Sequence, residues 1–318
     1  MFRIFASLLV VASAVAVVAG PSTSLRASQE QPSTFRAGSA LVRAFVTVTD
    51  KTGRIATTLG KDDFELRDEG KPQEITLFDN SPRPIRLIVM LDVSGSMIGN
   101  LPLLQGGTTE LVRQLRRDDV MRVGTFGNEV MISPTFTRDP KELLAALPGS
   151  IDRNAPTPLW RSIEKAMEAF GPTEGDARDV VLVLTDGKDS GFTNFKDKFV
   201  TAGDVIERAR RQDVMIYAVG MRNRRASLSG GLSAALAADD PDPGLARVAA
   251  ESGGGYTEVD YGNNVVVAFA QVAEELHSQY LLGFAPPKRD GKVHDIEIKV
   301  KQPDMKTRAR KSYVAPKN

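Results

Sequence analysis

Two apolar runs constrain this chain more than any other feature: residues 86–91 (RLIVML) and 180–184 (VVLVL). Neither alternates apolar with polar residues, so neither suits a sheet with one wet face. Such runs are expected of strands covered on both sides. Between and beyond them the spacing turns helical at residues 101–116, 139–147, 159–170, 205–211, 245–250 and 264–277. Further strands are expected at 120–126 and 130–136, joined through Gly127-Asn128, and at 214–219 and 256–259. Repeated strand–helix alternation predicts an α/β fold, a doubly wound and mostly parallel sheet with helices on both faces.

The two ends read differently. Residues 42–49, 63–68 and 75–78 are short strand-like runs broken by turns, and residues 280–284 and 293–300 return to the same pattern. Neither flank has enough strands to be stable alone, so the two are expected to form one small β unit beside the α/β domain. The expected organisation is a signal segment at 1–19, a linker at 20–39, a β segment at 40–83, the α/β domain at 84–280 and a second β segment at 281–318.

Residues 1–19 carry one early positive charge, Arg3, then an apolar stretch and the small-residue end Val17-Val18-Ala19. This is the pattern of a secretory signal. The run is shorter than the ~20 apolar residues that span a bilayer. The expectation is an exported protein, periplasmic or extracellular, with no transmembrane segment in the mature chain.

Composition narrows the chemistry. With 41 basic and 40 acidic residues, no global field points to nucleic acid. The absence of cysteine excludes disulfides, thiolate metal sites and a cysteine nucleophile. Two histidines, His277 and His294, do not make a multi-histidine zinc site; they read as a helix end and a strand surface. A metal here must be a hard ion held by oxygen.

The first apolar run ends in Asp92-Val93-Ser94-Gly95-Ser96, which sets a carboxylate and two hydroxyls at alternate positions on the loop leaving a central strand. Alone, this also fits an Asp-initiated turn with a serine helix cap. Two later segments matter as well. Thr157 sits between Pro156 and Pro158 just before a helix, and the second apolar run ends in Thr185-Asp186-Gly187. Open doubly wound sheets bind ligands outside the carboxyl ends of their strands. The two carboxylates meet there if their strands are neighbours.

This set, D-x-S-x-S, then a loop threonine, then T-D-G, resembles the metal-ion-dependent adhesion site of the von Willebrand factor A family, shared with integrin inserted domains. The resemblance covers residues 84–280. It implies that Ser94, Ser96 and Thr157 contact a divalent ion through hydroxyls, with Asp92 and Asp186 acting directly or through water. It further implies that an acidic side chain of a protein partner takes the open coordination position. Few carboxylates and oxygen-only donors suit Mg²⁺ before Ca²⁺, with Mn²⁺ as another candidate. The flanks, from Phe45-Val46-Thr47-Val48-Thr49-Asp50 through Asp63-Phe64-Glu65-Leu66 and Tyr280-Leu281-Leu282-Gly283-Phe284 to Arg310-Lys311-Ser312-Tyr313, are similar to bacterial, notably acidobacterial, secreted proteins with VWFA-related domains. In that tail Ser312 stands where those proteins usually have glycine.

A metal-dependent protein-binding or adhesion module, not an enzyme, is therefore expected. One alternative is a structural or assembly protein of the cell envelope that makes contacts through its β flanks. A metal-dependent hydrolase is more remote. Ser162-Ile163-Glu164-Lys165 and Lys51-Thr52-Gly53 match penicillin-binding motifs, but in reversed order and without the S-D-N between them. No G-x-S-x-G is present, and Ser94 stands where phosphoryl-transferring haloacid-dehalogenase patterns have a second aspartate. Trp160 reads as packing. Partner specificity is expected from the loops at residues 187–199 and 221–243, with Phe192, Phe195, Arg222 and Arg224 as contact residues.

Overall fold

The computed structural model describes residues 41–172, 176–190, 199–222, 240–260 and 264–317. All of them belong to the second of two units, Met1–Ser39 and Ala40–Asn318. The expected signal segment, the linker, and Phe192, Phe195 and Arg224 lie outside the described residues.

The first flank supplies β1 (Val42–Thr49), β2 (Phe64–Asp68), β3 (Lys71–Gln73) and β4 (Leu77–Asp79). The α/β region begins with β5 (Ile85–Asp92), α1 (Leu101–Gln114), β6 (Val120–Phe126), β7 (Val130–Ile132), α2 (Pro140–Ala145) and α3 (Leu159–Glu168). It continues through β8 (Arg178–Thr185), α4 (Ala202–Gln212), β9 (Met215–Arg222), α5 (Gly244–Ser252), β10 (Tyr256–Asp260) and α6 (Asn264–Leu276). The second flank adds β11 (Tyr280–Phe284), β12 (Val293–Val300), β13 (Lys306–Arg308) and β14 (Ser312–Val314).

The central sheet runs β10-β9-β8-β5-β6-β7 among the described residues, parallel throughout except for β7. The two apolar runs are its neighbouring middle strands. Leu87, Val89 and Leu91 of β5 face a core shared with Leu104 and Leu111 of α1 and Phe269 of α6. Ile88 and Met90 face the opposite core with Ile163 of α3, Val205 of α4 and Val248 of α5. Each such side chain contributes about 1.5–3 kcal/mol by burial, which is why both faces of the strand had to be apolar. The strand expected at residues 130–136 is shorter than its pattern: β7 stops at Ile132. Pro134, with no N–H, cannot continue the ladder.

The two flanks pair with each other. β1 pairs antiparallel with β11 and β13, and β2 with β12. The result is the expected flanking β unit, arranged as two antiparallel sheets, β13-β1-β11-β4 and β14-β12-β2-β3. Val46, Phe64, Tyr280, Phe284, Ile296 and Ile298 form their common core. His294 is not on the strand surface as expected. It is in phase with Ile296 and Ile298 and buried, its Nε2 lying 3.1 Å from Asp290 Oδ1. His277 is at the helix end as expected, but buried there against Asp119 Oδ2 at 2.7 Å.

A polar seam joins the β unit to the base of the central sheet. Glu275 of α6 accepts hydrogen bonds from Thr47 of β1 at 2.9 Å, from Tyr217 of β9 and from Arg308 of β13. Arg178, wholly buried at the start of β8, donates to the Leu276 carbonyl and to Gln279 and lies 4.5 Å over the Phe45 ring. Glu275 is thereby bonded from both parts, and Phe45 of the β unit covers the Arg178 guanidinium. Among the described residues, no helix is long and apolar enough to cross a membrane.

Candidate metal centre

Strand order decides where a site can form. The chain moves from β5 to β6 on one side, then returns to place β8 on the other side of β5. The order therefore reverses between β5 and β8, and a crevice opens at their carboxyl ends. Parallel register sets Leu91 beside Leu184, so Asp92 and Thr185 emerge together and Asp186 follows one residue later.

The loop after β5 folds tightly around Asp92. Asp92 Oδ1 accepts the Ser94 N–H at 2.8 Å, and Thr185 donates its hydroxyl to Asp92 Oδ2 at 2.5 Å. Residues Gly95–Met97 form a short 3-10 turn with Ser94 at its N-terminus, but the Ser94 side chain makes no capping bond to it. Instead Ser94 Oγ lies 3.1 Å from Ser96 Oγ, and Ser96 donates to Asp186 Oδ1 at 2.6 Å. That geometry separates a convergent oxygen cluster from a capped turn. Gly95 is required by close approach, because a Cβ there would lie 2.1 Å from the Arg153 carbonyl oxygen. Its N–H is bonded to the Ala155 carbonyl at 3.0 Å, which docks the loop carrying Thr157 onto the same crevice.

Thr157 closes the third side. A Cβ on Gly187 would lie 3.3 Å from Thr157 Oγ1, so the threonine side chain packs directly over the backbone next to Asp186. Asp92, Ser94, Thr157 and Asp186 are all buried, and Ser96 is partly exposed. Burial pushes the Asp92 carboxyl up to about 7, with the nearby charge of Asp186 pushing the same way. Two adjacent carboxylates with hydroxyl oxygens, in a site that penalises uncompensated negative charge, make a donor set that fits a hard divalent cation.

Residues 87–262, more than half of the chain, match the von Willebrand factor type A domain. The chain belongs to this family. No curated protein sequence matches it. Among solved structures, the A domain is similar to the conserved hypothetical protein BatB from Bacteroides thetaiotaomicron, at 20% identity over 60% of this chain and 98% of that one, with a TM-score of 0.44. An aerotolerance-related membrane protein from Bacteroides fragilis has 17% identity over 60% and 98%, with a TM-score of 0.45. A von Willebrand factor type A protein from Catenulispora acidiphila has 12% identity over 89% and 76%, with a TM-score of 0.48.

All five residues singled out by spacing, Asp92, Ser94, Ser96, Thr157 and Asp186, come to one crevice of the A domain. Arg222 does not join them: its guanidinium pairs with Glu258 of β10 and lies 3.6 Å from Asp240. Ser162 of the S-x-x-K motif is buried and donates to the Leu159 carbonyl at 2.7 Å, as helix packing requires. Trp160 is buried. Sequence reading gave no role to Thr185, whose hydroxyl orients Asp92; its place beside Asp186 at a strand end was the available signal. Asp189, Ser190 and Asp242 were also passed over.

Proposed function

We propose that this A domain is a divalent-cation-dependent protein-binding module of an exported protein, led out by residues 1–19. Asp92, Ser94, Ser96, Thr157 and Asp186 would hold the ion, Mg²⁺ before Mn²⁺ or Ca²⁺. The observation that carries the reading is the Ser96 hydroxyl, bonded to Asp186 Oδ1 at 2.6 Å and 3.1 Å from Ser94 Oγ, which unites two strand-end loops around the buried Asp92 carboxylate. When bound, the ion supplies a Lewis-acidic position for an acidic side chain of the partner. The chain's own residues do the rest. Two carboxylates balance a divalent charge, hydroxyls supply neutral oxygens, and the Thr185 hydroxyl keeps Asp92 oriented.

In this reading the two carboxylates and three hydroxyls serve as ligands to the ion, and the role is binding. The test is calorimetric titration with MgCl₂ of the wild type and of Asp92→Ala. Saturable binding by the wild type that is lost in a still-folded Asp92→Ala supports the assignment; equal affinity in both overturns it. Partner capture from envelope extracts with Mg²⁺ and with EDTA then separates an adhesion site from a scaffold that makes contacts through the β unit, because only the former loses its partner to EDTA.

A further inference from the structure

The geometry points to Asp242 and the pair Asp189-Ser190 as positioning residues that set cation affinity, an inference that rests on the metal-binding reading above. α3, which follows Thr157, packs on β8, which leads to Asp186, and the two loops are held in register beyond that packing. That register comes from a chain of specific hydrogen bonds. Ser190 N–H donates to the Thr157 carbonyl at 2.9 Å, and the Thr157 N–H donates back to Ser190 Oγ at 3.0 Å. Three positions further along, in the first turn of α3, the Trp160 N–H reaches Asp189 Oδ1 at 3.3 Å.

Asp242, just before α5, ties a third segment to this pair. Its N–H donates to the Gly187 carbonyl at 3.2 Å, and its Oδ2 accepts the Asp189 N–H at 3.2 Å. Its Oδ1 accepts the Gly244 N–H at 2.8 Å, which anchors the carboxylate to the start of α5. Through Asp242 the start of α5 thus reaches both Gly187, next to Asp186, by a backbone bond and Asp189 by the carboxylate. Hydroxyl donors such as Thr157 bind a cation weakly unless already in place, because ordering them on binding subtracts from affinity. Partners that orient metal ligands typically govern affinity by 10–100-fold when removed.

The experiment is MgCl₂ titration of the full chain by calorimetry, with melting temperature in EDTA as the measure of fold integrity. Trp160, the single tryptophan, gives an independent emission readout from inside the bonded loops. Asp242→Ala and Ser190→Ala should each weaken Mg²⁺ binding about tenfold or more, while Ser190→Thr, which keeps the hydroxyl, restores it. Ser190 is exposed, so its variants fold whether or not Asp242→Ala does. Wild-type affinity in Ser190→Ala, or an equal loss in Ser190→Ala and Ser190→Thr, overturns the inference and leaves the metal site standing. No Mg²⁺ response from the wild type overturns both.

Discussion

Asp92→Asn should make the metal-free protein more stable while abolishing Mg²⁺ binding. Burial, aided by Asp186, raises the Asp92 carboxyl from 3.8 to about 7. At about 1.4 kcal/mol per pKa unit, keeping it ionised costs the folded state about 4 kcal/mol relative to the unfolded chain. Below pH about 4 both states are protonated and the cost is absent. Between 4 and about 7 the unfolded chain releases its proton and the folded one retains it, so stability falls as pH rises and levels off above that window. Asparagine is neutral and close in shape. Its oxygen can still accept the Ser94 N–H, but its amide must face the Thr185 hydroxyl, which already accepts from Gly187 N at 3.1 Å. That mismatch returns about 1–2 kcal/mol, leaving a net gain of about 2 kcal/mol. Scanning calorimetry in EDTA at pH 8 should show the variant melting roughly 4–8 °C above wild type, with the gap closing by about pH 4.5. Saturating Mg²⁺ should raise only the wild type. A variant that melts below wild type at pH 8 in EDTA, or a gap independent of pH, would refute the reasoning.

Gly95→Ala should push the Thr157 loop away, since its Cβ would lie 2.1 Å from the Arg153 carbonyl oxygen. Calorimetry should find a destabilisation of about 1–3 kcal/mol together with weakened Mg²⁺ binding. Deleting residues 286–318 removes β12 and β13 but leaves β11. Hydrogen exchange should therefore accelerate across β2 and at residues 47–49, while residues 42–46 of β1 keep their β11 partner and their protection. Asp119→Ala should cost about 3 kcal/mol in denaturant titration, because Ile85 N, Arg116 N and His277 Nε2 all lose their acceptor. The Asp119 carboxyl is held below its ordinary range, net of burial, by the His277 and backbone hydrogen bonds. The stability it adds is present above the unfolded pKa and fades as pH falls through the folded one, so the penalty of Asp119→Ala should shrink in acid.

Much of the site was legible because it is local. Asp92, Ser94 and Ser96 sit at alternate positions on one loop, and each apolar run signals that its following residue leaves a buried strand at a carboxyl end. Thr157 was marked by its flanking prolines. Asp189, Ser190 and Asp242 were not legible, since their contributions are backbone-directed hydrogen bonds between segments distant in sequence. An Asp before Pro243 or a Ser beside Gly191 reads as ordinary turn chemistry. His294 shows a different failure: its phase with Ile296 and Ile298 was visible, but the paired acids and Tyr313 that make its burial tolerable come from other strands and from a neighbouring turn.

By itself the sequence determined the fold class and singled out the five candidate residues Asp92, Ser94, Ser96, Thr157 and Asp186. Strands apolar on both sides need a sheet covered on both faces, which strand–helix alternation supplies, and hydroxyl–carboxylate spacing on a tight loop is a short-range property. Tertiary structure alone decided that β5 and β8 are neighbours, which turns two separate aspartates into one site. It also decided which strand of one flank completes which strand of the other, and that Glu275 and Arg178 seal the seam between them. Strand order and partner choice depend on which surfaces exclude water together across the whole chain, and that balance is set by packing rather than by any local pattern.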